Sequence, residues 1–242
     1  MTTLEKNAPG EYRLRTQYSG LSIGVAAKAA NTVDYSADSA AIRLAEKKLL
    51  EGLTGISTAR ILALNQLHED TIIDIREVPR DETLVFGEAD GLMTGIPGIC
   101  LVIRTADCVP VFAYDRERRV LGAAHSGWRG TRLGIARKMV RQMKERYGSA
   151  GGDISAYILP SIGPESYTVG KEVAELFPGD ITERGGLLYL SLWRSIESSL
   201  RDEGIPEGNI FNARLCTRAM NHEFFSHRAG DLGRNLNFGI LS

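Results

Sequence analysis

Between Gly98 and His125 three strand-like runs, Gly98–Arg104, Val109–Tyr114 and Arg119–His125, are separated by polar breaks of only four residues each. A parallel crossover needs about a dozen residues or more, so these runs cannot be joined as parallel neighbours. The run ICLVI in the first reads as buried on both faces. Asp115–Arg118 (DRER) reads as the turn of a hairpin. If Tyr114 pairs with Arg119 across it, Cys108 falls opposite His125. Opposed residues of an antiparallel pair share a face, with Cβ atoms roughly 4.5–5.5 Å apart. A thiolate and an imidazole so placed can share a proton or a metal ion.

Around this segment, strands and helices interleave. Ser39–Glu51 has helical spacing, with Ile42, Leu44, Ala45, Leu49 and Leu50 offered to a core and Gly52 as its stop. Strand-like pieces follow at Ile61–Leu67 and Thr71–Val78. After Gly127-Trp128-Arg129-Gly130, the residues Leu133, Ile135, Ala136, Met139, Val140 and Met143 mark one helix face ending near Gly148. Ile154–Leu159 and Gly186–Leu190 read as strands, and Lys171–Leu176 and Ser191–Glu203 as helices. The expected class is α+β, with mixed β-sheets covered by helices in a single domain over 21–242. Residues 1–20 are expected to be a loose lead-in.

Composition narrows the function. Lys plus Arg number 29 against 30 acidic residues, a net charge of −1, so no nucleic-acid partner is expected. No apolar run approaches the ~18 residues of a membrane span, and the N-terminus lacks a secretory h-region. Cys100, Cys108 and Cys216 make no disulfide framework, which suits a reducing cytoplasm. No P-loop, dinucleotide fingerprint, HExxH, GxSxG or zinc-deaminase signature is present. No partner protein is indicated.

Cys108, in RTADCVPVF, sits at a strand end before Pro110. It is either a buried structural thiol or, with Asp107 and His125 beside it, part of a site. His125 opens HSGWRG, a glycine-punctuated turn into a helix that suits an anion. Ser126, Gly127 and Arg129 fit such a pocket, or else Arg129 makes a surface ion pair. Trp128 reads as core. His68, in LALNQLHED, could be a surface histidine or a third member of the site, and its spacing to Cys108 fits no short zinc motif. His222 and His227 flank FFS and read as structural or rim residues. Two histidines and a thiolate with an open fourth position would make a catalytic zinc site, and the same trio could act as a Cys–His nucleophile pair.

TADCVPV, AAHSGWRG, IGPESYTVG and the C-terminal CT…FFSHR…GR, together with NQLHED and EADGLMT, resemble the YfiH family. It is also called the laccase-domain or multicopper polyphenol oxidase family and includes FAMIN-like proteins. The resemblance spans roughly residues 38–240. It implies a four-layer α/β/β/α sandwich and a catalytic and metal-binding triad at His68, Cys108 and His125. Zinc is the implied metal, with copper as an alternative occupant. It further implies phosphorolysis of purine nucleosides (adenosine, inosine, guanosine, methylthioadenosine) and deamination of adenosine. The family's Asn-Arg helix reads Ile42-Arg43 here. Arg43, Asp107, Ser126, Gly127 and Arg129 are then the expected phosphate and substrate contacts.

Two other readings stand beside this one. A branch of the family edits peptidoglycan precursors, so an amidase removing misplaced L-serine is an alternative. A zinc-stabilised binding module without catalysis is another. Laccase chemistry is not expected, because four histidines cannot furnish both a mononuclear copper and a trinuclear cluster.

Overall fold

The computed structural model describes residues 2–78 and 86–242. Its strands begin with β1 (Thr3–Ala8), β2 (Glu11–Arg15), β3 (Leu21–Ala26), β4 (Ile61–Ala63), β5 (Ile72–Ile75), β6 (Gly91–Thr94) and β7 (Cys100–Thr105). They continue with β8 (Val109–Asp115), β9 (Val120–Ser126), β10 (Ile154–Ile158), β11 (Thr168–Val169), β12 (Ile181–Arg184), β13 (Leu187–Leu190), β14 (Ile210–Asn212) and β15 (Asn235–Leu241). The α-helices are α1 (Ser39–Thr54), α2 (Trp128–Leu133), α3 (Ile135–Tyr147), α4 (Lys171–Ala174) and α5 (Leu192–Asp202).

Two six-stranded sheets carry the fold, in the orders β1-β2-β3-β15-β7-β4 and β14-β10-β8-β9-β6-β5. Both are mixed: β4 runs parallel to β7, β5 to β6 and β10 to β14, while the other pairs are antiparallel. A small sheet, β11-β13-β12, lies apart.

Side-chain alternation separates three cores. Ile23, Leu101 and Ile103 of the first sheet meet Phe112, Leu121 and Ala123 of the second between the sheets. Their neighbours Cys100, Val102, Leu236 and Phe238 point the other way, under Leu50 of α1. Val111, Ala113 and Ala124 likewise turn outward, beneath Met139, Val140 and Met143 of α3 and Ile196 and Leu200 of α5. The result is the α/β/β/α sandwich, since the central strands bury both faces while each long helix buries one. Gly239 lets the sheets approach, because a Cβ there would lie 2.8 Å from the Phe112 ring.

Several expectations are corrected. The lead-in is not loose: β1 and β2 form a hairpin that continues the first sheet, with Tyr12 and Leu14 buried. Helix α1 runs past Gly52 and stops at Gly55, whose φ of 71° is the left-handed conformation a C-terminal cap requires. Its buried face carries Arg43, Glu46, Lys47 and Leu50, and Leu44 is exposed. Leu133 is also exposed, closing the short α2 before α3 begins. The hairpin register moves by two residues: Tyr114 pairs with Leu121, and Pro110 with His125. The cause is the turn, which occupies Arg116–Arg119. The buried Asp115 carboxylate accepts the Glu117 and Arg118 N–H groups, and Arg119 takes φ 52°. A shift of two preserves the faces, so Cys108 and His125 stay on one side.

Candidate active site

Cys108 and His68, from two separate connections, and His125, from a strand, converge on one point. Cys108 lies in the turn between β7 and β8, half-buried. His125, 3% exposed, sits at the end of β9 facing the space between the sheets. His68 follows β4 in an exposed loop with φ 64°, a left-handed conformation that few residues other than glycine adopt. One ligand atom from each lies within 4.8 Å of the others. Cys108 Sγ is 4.0 Å from His68 Nε2, and the imidazoles meet edge to face with centroids 4.8 Å apart.

Asp90, fully buried just before β6, holds this arrangement together. Its Oδ1 lies 2.7 Å from His125 Nδ1 and also accepts the His68 N–H at 3.0 Å. Its Oδ2 accepts the N–H groups of Leu67 and Glu69. One carboxylate therefore fixes the strained His68 turn and directs Nε2 of His125 toward the thiol. Sequence reading missed Asp90, although it stands in EADGLMT.

Gly127 lets the three side chains close up. A Cβ on Gly127 would lie 3.0 Å from Cys108 Sγ and 3.2 Å from His68 Cδ2. Its place in the site is steric, at the start of α2.

The electrostatics follow from packing. Burial alone would raise the Cys108 thiol, but the adjoining His125 and His68 imidazoles outweigh it and hold the thiol well below its ordinary range. Burial opposes a charge on His125 too, yet Cys108 and Asp90 raise it. The pair is stabilised as thiolate and imidazolium.

The trio opens into a cavity of about 500 Å³ lined by Gln66, Arg104, Asp107, Tyr167, His227, Arg228 and Arg234 among others. That is the size of a small-molecule site. Asp107 lines it with both oxygens engaged, Oδ1 by the Thr217 hydroxyl and Oδ2 by the Arg228 N–H. Those two bonds anchor a residue whose φ is 90°, and so make it a strut for the Cys108 turn. Gln66 clamps the backbone of Arg104, giving its amide to the carbonyl and accepting the N–H, both at 2.9 Å. Arg228 lies over the Tyr167 ring at 4.9 Å.

Four expected contacts do not line this cavity: Gly127, whose place beside Cys108 and His68 is steric, and three others. Arg129 is exposed and lies over the Trp128 ring at 4.4 Å. Ser126 is buried and bonded to the Thr131 hydroxyl. Arg43 stands behind the wall, 3.5 Å from Glu46, which Arg104 approaches at 3.7 Å. His227, read as structural or rim, is a lining residue.

The trio's chemistry fits a metal ion. Zinc bound to one sulfur and two nitrogens separates its ligands by roughly 3.5 Å, so modest inward movement would close this set on an ion. A carboxylate holding the far nitrogen of a ligating histidine is the usual support for such a site. Among the described residues this is the one group of three or more potential ligands.

The sequence pattern of the family described as multi-copper polyphenol oxidoreductase laccase matches residues 13–242. The chain belongs to this family. It is 35% identical over 215 residues to a protein of Bacteroides thetaiotaomicron named purine nucleoside phosphorylase, covering 82% of this chain and 78% of that one. It is 30% identical over 234 residues to adenosine deaminase RL5 from an unknown prokaryotic organism, covering 90% and 85%. The fold superposes on the crystal structure of the Bacillus licheniformis hypothetical protein YfiH with a TM-score of 0.88 at 30% identity, over 99% of each chain. The sandwich and mixed sheets of this chain are thus shared with that protein.

Proposed function

We propose that this chain is a purine nucleoside phosphorylase that also deaminates adenosine, with His68, Cys108 and His125 as its reactive centre. The observation that carries this reading is their convergence, under one buried carboxylate, on an arginine-lined cavity. The names of its relatives supply the reaction class: phosphorylase for one and adenosine deaminase for another. Purine nucleosides and phosphate are the proposed substrates, and the cytoplasm the proposed location. Among the described residues no helix is long and apolar enough to cross a membrane.

In phosphorolysis an oxygen of phosphate bonds to the anomeric carbon of ribose as the glycosidic C–N bond breaks. The bonding pair leaves on the purine, which takes up a proton. In the metal-free trio, His125 is placed to give that proton from Nε2, because Asp90 holds Nδ1 and the neighbouring thiolate keeps the ring charged. The cavity walls hold nucleoside and phosphate in register, which converts a bimolecular encounter into a reaction within one complex. Zinc is the proposed occupant of the trio, with copper as the alternative. The bound ion would supply Lewis acidity for deamination. A trinuclear copper cluster has no residues to build it, since two of the four histidines are already in the trio.

Incubating the purified chain with adenosine, with and without phosphate, tests the proposal. Adenine and ribose-1-phosphate should appear only with phosphate, and inosine independently of it. Absence of any nucleoside turnover, with or without added zinc, together with cleavage of a muramyl-serine amide, would overturn it in favour of an editing amidase.

A further inference from the structure

The cavity has a second charged region whose charges do not balance. Arg104 and Arg234 line the wall, and Arg43 lies directly behind it on α1. The carboxylate among them is Glu46, 3.5 Å from Arg43 and 3.7 Å from Arg104, and 3% exposed. Tyr35 donates a hydrogen bond to its other oxygen at 3.2 Å. Three guanidiniums therefore share one carboxylate.

Hydrogen bonding is incomplete in the same place. Arg43 Nη1, Arg104 Nε and Glu46 Oε2 are all buried without a hydrogen-bond partner. Arg234 uses Nη1 on the carbonyls of Leu232 and Gly233, leaving its other nitrogens for the cavity. Buried cations without compensating hydrogen bonds are costly, and a bound anion is the simplest relief. Asp107, a carboxylate on the same cavity, has both oxygens engaged and would repel an anion. The anion is thus directed to the arginine wall.

We infer that Arg104 and Arg234 form the seat for free inorganic phosphate, with Arg43 as the buried positive charge behind them. The guanidinium forks suit a tetrahedral oxyanion through paired N–H···O contacts. The Gln66 clamp on the Arg104 backbone fixes the first fork in place, so Gln66 is a positioning residue. This assignment rests on the phosphorylase reading for the identity of the ion, and it moves the phosphate site away from Arg129 and the α2 turn.

The test is binding of inorganic phosphate to the full chain without nucleoside, by calorimetry and thermal shift at constant ionic strength. Wild type should bind saturably, and Arg104→Gln and Arg234→Gln should each weaken binding at least tenfold. Arg234→Lys should fall between. Melting without phosphate reports folding; if Arg104→Gln fails to fold, Arg234→Gln decides. Unchanged affinity in the folded variants, or no saturable binding in wild type, would overturn the assignment. Saturable binding of adenosine monophosphate but not of inorganic phosphate would also overturn it. Nucleoside cleavage, measured in parallel, separates the two readings. Phosphate binding lost in the variants, with no cleavage by wild type, upholds the seat and sinks the phosphorylase. Phosphorolysis with an unchanged KM for phosphate in both variants does the reverse.

Discussion

His125 Nδ1 lies 2.7 Å from Oδ1 of Asp90, and the same carboxylate accepts the backbone N–H groups of Leu67, His68 and Glu69. Two members of the trio are thus set by a fourth residue that never reaches the cavity lining. Orientation of His125 and the backbone strain at His68 are one structural problem with one solution.

Asp90→Asn should separate these roles from folding at large. An amide would turn an NH2 group toward N–H donors that now meet carboxylate oxygens, leaving buried groups unpaired at a cost of about 1–3 kcal/mol. The expected outcome is a folded protein whose zinc affinity and nucleoside turnover both fall about 10–100-fold. Competition with a chromophoric chelator and initial-rate assays measure the two. Wild-type zinc affinity in the variant would show that Asp90 does not orient His125.

Cys108 should stand apart from the other thiols in the metal-free protein. His125 and His68 hold its thiol low despite burial, whereas burial pushes the Cys100 thiol up to about 12. Alkylation by iodoacetamide, followed by peptide mapping, should show Cys108 modified with a pH midpoint well below the ordinary ~8.5. Cys100 should stay unmodified, and zinc should protect Cys108. Modification of Cys108 only above pH 8 would contradict the thiolate–imidazolium pairing.

The closeness of Cys108 and His125 is legible in the sequence for a reason that survives an error. The sequence pattern puts the hairpin turn one residue early, because the DRER string does not reveal that buried Asp115 caps the turn rather than entering it. The resulting shift of two keeps side-chain parity, so the shared face remains. His68 is different: its approach to Cys108 across 40 residues depends on Asp90 from yet another loop. Family resemblance points to it, whereas local pattern does not. Helix α1 misleads for a physical reason as well. Its buried face carries Arg43, Glu46 and Lys47 beside Leu50, so a search for an apolar stripe finds Leu50 but passes over its charged neighbours and wrongly takes the exposed Leu44. The β1–β2 hairpin escapes notice because only Tyr12 and Leu14 alternate within a polar stretch.

Gly127→Ala offers a purely steric test of the trio. The new methyl would press on Cys108 Sγ and His68 Cδ2 at 3.0 and 3.2 Å, tighter than side chains ordinarily tolerate. Since φ at Gly127 is −73°, the backbone accepts alanine without strain, and the effect falls on the two side chains. Stability should drop by about 1–3 kcal/mol, as in other overpacked sites. Turnover should fall far more than denaturant unfolding implies. Full activity would mean that the spacing of Cys108 and His68 is not critical.

Glu46 gives the pH dependence of folding a distinctive sign. Burial raises its carboxyl to about 7, with Arg43, Tyr35 and Arg234 only partly offsetting the rise. The folded state then holds a proton that the unfolded chain has released, so stability from this residue is greatest at low pH and is lost as pH climbs from about 4.5 to 7. A shift of that size corresponds to up to about 3 kcal/mol. Glu46→Gln removes the titration, so its Tm relative to wild type should improve steadily between pH 5 and pH 8 in phosphate-free buffer. A flat difference across that range would mean Glu46 is ionised in the folded state throughout, its charge fully balanced by the surrounding guanidiniums.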